Sequence, residues 1–172
     1  LRVVELGTEV SAPYCARLFA DLGADVIKVE APGGDPSRAL GPFAGNEPDP
    51  EESAIFHYLN AGKRGVVADL DDVAGRHFFH SLLEGADVLV AGSDIDAVNL
   101  GATTLARRVR PNIFVVIRQN QMQDRALVDA ARADLKFVQS DIMVNECLQV
   151  LKTPMLNRFI AEHHGTTVVR YF

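Results

Sequence analysis

Apolar residues along this chain switch repeatedly between short β-rich runs and helical spacing. Arg2-Val3-Val4-Glu5-Leu6 is the first such run, closed by Gly7. After the turn Gly7–Pro13, apolar residues fall at Cys15, Leu18, Phe19 and Leu22. That spacing predicts a helix with Pro13 at its first position and Gly23 at its end. Ala24–Glu30 reads as a second strand. Strand, helix and strand within about 30 residues make a right-handed βαβ unit with parallel strands.

Residues 31–53 form a long connection rich in Pro, Gly and acidic residues. Loops of that length tend to be functional or mobile. The pattern then predicts a short helix near Ser53–Leu59, a strand at Gly65–Asp69 and a helix at Asp72–Leu83. A strand at Asp87–Ala91, a helix at Thr103–Val109 and a strand at Asn112–Ile117 follow. Alternating elements with near-continuous apolar strands predict an α/β fold: a Rossmann-like open, mostly parallel sheet with helices on both faces. Past Arg118 the texture changes. Gln119–Val138 reads as polar and helical, 139–164 as two more helices, and Thr166–Phe172 as a closing strand. The expected organisation is a domain at 1–118 and a helical continuation at 119–172 that closes on the same domain.

Composition narrows the function classes. Hydrophobic residues make up 48% and charged residues 23% of 172 residues, the balance of a globular domain with a real core. A net charge of -6 argues against a nucleic-acid surface, which needs clustered Lys and Arg. No apolar run is long enough to span a membrane, and no leader is visible, so a cytoplasmic setting is expected. Cys15 and Cys147 are too few for a disulfide scaffold and fit no CxxC metal pattern, so both read as inert thiols.

In an open α/β sheet, ligands gather at the carboxyl ends of the strands. That rule singles out the turns after Leu6, Glu30, Asp69 and Ala91. The turn after Leu6 lacks the GxGxxG spacing of a dinucleotide site, although it offers backbone N–H groups at a helix start. His77 and His80 lie one helical turn apart but have no evident third partner, so no metal site is expected. Asp141 reads as a helix cap, and Met143 as core. His163 and His164 are adjacent and point in different directions on a helix, so they cannot share a ligand.

Several blocks, in order, carry a family resemblance. Val3-Val4-Glu5-Leu6, Ala12-Pro13-Tyr14 and Leu18–Glu30 come first, then Gly34-Asp35-Pro36-Ser37-Arg38 and Asn60–Leu70. Gly85–Val90 and Arg110-Pro111-Asn112 complete the set. Together they resemble the opening of the family III CoA-transferases of the CaiB/BaiF type, which include formyl-CoA and carnitine CoA-transferases and the 2-methylacyl-CoA racemases. The resemblance covers residues 1–118. It implies a Rossmann-like domain holding coenzyme A along its strand ends. Val10, Ser11 and Ala12 would set backbone against the CoA, and Ala68, Asp69 and Leu70 would cradle its adenine and ribose. Arg38 with Lys63 or Arg64 would meet its phosphates. It also implies a homodimer, interlocked in the family, or a partner chain completing the site.

The departures are equally informative. Ala31 stands where many members have a basic residue. The stretch Ala91–Gly101 carries Asp94 and Asp96 and no Arg, so its charge would repel a phosphate. The family's Asp nucleophile follows a Phe-Gly-x-x-Gly-Pro stretch, and the racemases use Gly-His-Asp; neither occurs in this sequence. The expectation is an acyl-CoA:carboxylate CoA-transferase-like protein that binds CoA or acyl-CoA, with no catalytic residue in this segment. The alternative is a non-catalytic CoA-binding or interaction module on the same fold.

Overall fold

The computed structural model describes residues 1–45 and 47–138. Five helices and six strands alternate: β1 (Arg2–Gly7), α1 (Ser11–Asp21), β2 (Asp25–Glu30), α2 (Ala54–Asn60), β3 (Arg64–Val67) and α3 (Val73–Glu84) come first. β4 (Val88–Gly92), α4 (Asp96–Val109), β5 (Phe114–Gln119), α5 (Arg125–Ala130) and β6 (Leu135–Val138) follow. The sheet order is β3-β2-β1-β4-β5-β6, and β1 through β5 pair in parallel. The predicted α/β architecture is therefore present, and the order reverses between β1 and β4. A compact unit runs from Leu1 to Phe137. The second unit, Val138–Phe172, lies outside the described residues apart from Val138. The readings of helices at 139–164, a strand at 166–172, and roles for Asp141, Met143, Cys147, His163 and His164 fall there.

Local chemistry explains the element ends. Helix α1 stops in a Schellman motif: Ala24 N–H reaches Phe19 O at 3.0 Å and Gly23 N–H reaches Ala20 O at 2.9 Å. Gly23 takes φ +89°, which a side chain would resist. Ser53 caps α2 through Phe56 N–H, and Asp72 caps α3 through Val73 N–H. Two apolar layers cover the sheet. Val4, Leu6, Leu89, Val115 and Ile117 pack under α3, α4 and α5, against Phe79, Leu83, Ala106 and Val128. Val3, Val26, Val88, Val90 and Val116 face Ala12 and Ala16 of α1.

Two elements differ from the sequence expectation. Helix α4 begins at Asp96, seven residues before the predicted start. The turn-like Ser93-Asp94-Ile95-Asp96 and the internal Gly101 obscured its first two turns. The stretch Gln119–Val138, read as helical, starts with the last residue of β5 and then holds a 3-10 turn at Met122–Asp124, the short α5 and the edge strand β6. Leu135-Lys136-Phe137-Val138 is too short a run for its period to show against the polar helix before it. Among the described residues, no helix is long and apolar enough to cross a membrane.

Helix α1 approaches β1 and β4 unusually closely. A Cβ on Gly7 would lie 2.3 Å from the Ala12 Cβ, and one on Gly92 would lie 2.5 Å from it. Gly92→Ala should therefore destabilise the chain by about 1–3 kcal/mol, as overpacking does. Adding Ala12→Gly removes the atom Gly92→Ala meets and should recover most of that loss in denaturant unfolding. A double variant as weak as the sum of the singles would contradict this packing.

Candidate ligand site at the carboxyl ends of the strands

The site is built from three turns that leave the carboxyl ends of β1, β2 and β3. After Gly7 the chain passes through Thr8 and Glu9 to Val10, the residue before α1. Val10 is exposed, and no side chain caps the helix it opens. Ser11 is half-buried and Ala12 buried. Glu9 adopts φ +61°, the left-handed region that a non-glycine residue enters only when neighbours hold it there. Its N–H donates to Asp35 Oδ1 at 3.1 Å.

After Glu30 the chain turns through Gly34 to Asp35, which caps the short turn Pro36–Ala39 through Ser37 N–H at 2.9 Å. Arg38 grips Glu30 with two donors, Nε to Oε2 at 2.8 Å and Nη2 to Oε1 at 3.0 Å. It stacks 3.7 Å above the Phe56 ring, and its Nη1 reaches the exposed Glu51 at 3.0 Å. The third turn is tied to the second, because Ala68 N–H donates to Glu30 O at 2.9 Å. Ala68 is buried, Asp69 exposed and Leu70 half-buried. Gly75 lets α3 come down on this turn, since a Cβ there would lie 1.9 Å from Asp69 O. The structure thus gathers Val10, Ser11, Ala12, Arg38, Ala68, Asp69 and Leu70 along one edge.

The other two predicted cations sit elsewhere. Arg64 lies at the amino end of β3, where Nη2 meets both Asp25 oxygens at 2.6 and 2.7 Å. Lys63 has a buried side chain and donates to Glu5 Oε2, Pro13 O and Asn60 Oδ1 at 2.7, 2.7 and 2.9 Å. It belongs to a buried set of charges between the sheet and α2. Glu5 is 0% exposed, Lys28 1% and Asp35 3%. Glu5 and Lys28 face each other across β1 and β2 and pair at 3.1 Å. Lys28 Nζ also donates to Gly7 O at 3.0 Å. Its 2.8 Å contact with Asp35 Oδ2 is ionic, lacking hydrogen-bond direction.

Burial alone would raise the carboxyl groups of Glu30 and Asp35. For Glu30, hydrogen bonds from Arg38 and Asp35 N–H outweigh it, with the charges of Arg38 and Lys28. For Asp35, Lys28 and then Ser37 do the same. Both carboxyls therefore lie below the usual carboxylate range. Burial pushes the Lys63 ammonium down, against the pull of Glu5. Burial also pushes the Cys15 thiol up; Glu5 adds to that and Lys63 opposes it, which suits an unreactive thiol.

A cleft of about 390 Å³ opens beside the α1 start, on the sheet face that α1 covers only in part. Tyr14 and Leu18 wall it from α1, Val116 from β5, and Leu135 and Phe137 from β6. Arg118, at the end of β5, stands at this cleft, 3.3 Å from Ser11 Oγ and 2.7 Å from Asp94. The sequence reading missed Arg118, although the strand-end rule applied to β5 points to it. It also brings a cation to the stretch where Asp94 and Asp96 were expected to repel a phosphate. Asp94 is paired with Arg118. Asp96 is buried and accepts from Asn120 N–H and Gln121 N–H at 2.8 Å each, pinning the chain after β5. Away from this edge, His80 Nδ1 lies 3.5 Å from Glu84, and His77 is exposed.

The depressed carboxyls fix the sign of the acid response. Their contribution is complete above the unfolded values near about 4 and is lost as pH falls through the lower folded values. Urea unfolding should therefore show stability falling steeply below about pH 4. Arg38→Ala removes the main support of Glu30 and should lower stability at pH 6 while flattening that fall. An unchanged slope in the variant would contradict the assignment.

The model for CoA-transferase family III matches residues 1–119. A succinyl-CoA:(R)-benzylsuccinate CoA-transferase subunit from Thauera aromatica is 46% identical over 109 residues, covering 62% of this chain and 26% of the relative. Succinate–glutarate CoA-transferase from Agrobacterium fabrum is 43% identical over 93 residues, covering 52% and 23%. The chain thus spans about a quarter of the length of these relatives. Among solved structures, a CaiB/BaiF family protein from Brucella suis aligns with TM-score 0.59 and 32% identity, over 69% of this chain and 32% of that one. The NAD(P)-binding domain of an exopolyphosphatase-related protein from Archaeoglobus fulgidus aligns with TM-score 0.57 over 88% of this chain and 97% of that one. At 20% identity it shows the shared fold alone. With more than half of its length matched by the family model, the chain belongs to CoA-transferase family III.

Proposed function

We propose that this chain is the CoA-binding portion of an acyl-CoA:carboxylate CoA-transferase, and that it holds CoA across the carboxyl ends of β1, β2 and β3. The observation that carries the reading is the single edge on which the three turns converge, tied together by Ala68 to Glu30, Glu30 to Arg38, and Asp35 to Glu9. Backbone at Val10–Ala12 would face the pantetheine–phosphate portion, and Ala68–Leu70 the adenosine. Among Arg38, Lys63 and Arg64, we assign the phosphate contact to Arg38. Its Nη1 partner Glu51 is exposed and exchangeable, whereas its Nε and Nη2 stay on Glu30. Lys63 acts through Glu5 and Pro13, and Arg64 through Asp25.

The transfer chemistry belongs to residues this segment does not supply. The Asp nucleophile and its Phe-Gly-x-x-Gly-Pro stretch are missing from the sequence. A partner chain or further polypeptide would bring it. The exposed apolar residues Val10, Tyr14, Leu18 and Leu22, four apart from the residue before α1 to the residue after it, support a covered face there. No metal takes part in this reading.

Calorimetric titration tests it. The 172-residue chain should bind CoA, with NAD and ADP giving weaker or no heat. Arg38→Ala should weaken CoA about tenfold, roughly 1.4 kcal/mol, and Glu51→Ala should strengthen it by removing the carboxylate that competes for Nη1. No heat and no thermal stabilisation at millimolar CoA would overturn the ligand assignment and leave the non-catalytic interaction module.

A further inference from the structure

The buried charges under α2 form a continuous relay. Asp35 Oδ2 lies 2.8 Å from Lys28 Nζ, Lys28 Nζ lies 3.1 Å from Glu5 Oε1, and Glu5 Oε2 accepts from Lys63 at 2.7 Å. Two carboxylates and two ammonium groups balance, so the relay is neutral as a whole. Each of three members also holds one backbone atom of the turn between β1 and α1. Lys28 donates to Gly7 O at 3.0 Å, Asp35 accepts from Glu9 N–H at 3.1 Å, and Lys63 donates to Pro13 O at 2.7 Å. The turn is thereby gripped at its start, middle and end, with its middle residue at φ +61°.

We infer that Asp35 is a positioning residue for the CoA-binding turn, acting through Glu9 N–H and the Lys28–Glu5–Lys63 relay. The inference rests on the CoA reading above and assigns a second task to a residue whose evident one is capping Pro36–Ala39. Glutamate does not hold a left-handed backbone by preference. Without the Asp35 acceptor, Glu9 relaxes toward the ordinary regions, and Val10 and Ser11, next along the chain, move with it. A role confined to the 36–39 turn makes a different prediction, because it gives Glu9 no special importance.

The test uses Asp35→Ala, Glu9→Gly and the double variant, read by amide hydrogen exchange in the ligand-free chain and by CoA affinity. Asp35→Ala should speed exchange of the Glu9 amide and weaken CoA, each by about tenfold. Glycine adopts the left-handed region freely, so Glu9→Gly in the Asp35→Ala background should restore CoA affinity to within about threefold of the parent. Affinity lost with Asp35→Ala and not regained in the double variant overturns the inference, as does unchanged Glu9 exchange. If Asp35→Ala does not fold, Asp35→Asn carries the test, since its Oδ1 can still accept from Glu9 N–H. Retained Glu9 protection with retained affinity supports the inference, and protection lost with affinity unchanged overturns it. A parent chain that binds no CoA overturns the CoA reading instead, and Glu9 exchange in Asp35→Ala still decides whether Asp35 holds the turn.

Discussion

The contact of Ala12 with Gly7 and Gly92 is the constraint on which the described domain depends. It seats the start of α1 directly on β1 and β4, at the point where the strand order reverses. Any side chain on either glycine would lift the helix and open the crevice beneath it. With α1 seated, Val10 and Ser11 stand over the strand ends, and Ser11 Oγ comes within 3.3 Å of Arg118 on β5. The same packing leaves α1 over β2, β1 and the near side of β4, so the faces of β5 and β6 remain as the wall of a cleft. The domain thus spends glycine at two strand ends to bring a helix start to its ligand edge, as dinucleotide folds do with a different spacing.

Charge is the second organising element. Burying Glu5, Lys28, Asp35 and Lys63 is costly, and removing one member of such a set typically costs about 3–5 kcal/mol because its partner stays buried and unpaired. An apolar set of equal volume could stabilise the sheet as well. What ions provide that apolar groups cannot is a fixed donor or acceptor for Gly7 O, Glu9 N–H and Pro13 O. The Glu30–Arg38 pair extends the same logic outward, from the buried β2 end to a guanidinium with one arm in solvent reach. The resulting edge is suited to hold a ligand.

Much of this was legible in the residues. The βαβ unit from Arg2 to Glu30 was readable because its strands are apolar on both faces and Gly23 marks the helix end. The turns at Val10–Ala12, Arg38 and Ala68–Leu70 followed from the strand-end rule together with the family blocks. Other features depend on distances that no local pattern encodes. Lys63 reads as a loop cation, yet a partner 58 positions away buries it against Glu5. Asp94 and Asp96 read as an acidic loop, because Arg118, Asn120 and Gln121, which neutralise or bond them, come from the far end of β5. Helix α4 was shortened by its turn-like opening, and β6 was lost because four residues carry too little period.

The most direct test of the account is where CoA touches the chain. Backbone NMR shifts recorded during a CoA titration should change at Gly7–Ala12, at Gly34–Arg38 and at Ala68–Leu70, with the amino ends of the strands, including Arg64 and Asp25, left unmoved. Shifts confined to the amino ends of the strands, or to the α3 and α4 face, would contradict a ligand edge at the carboxyl ends.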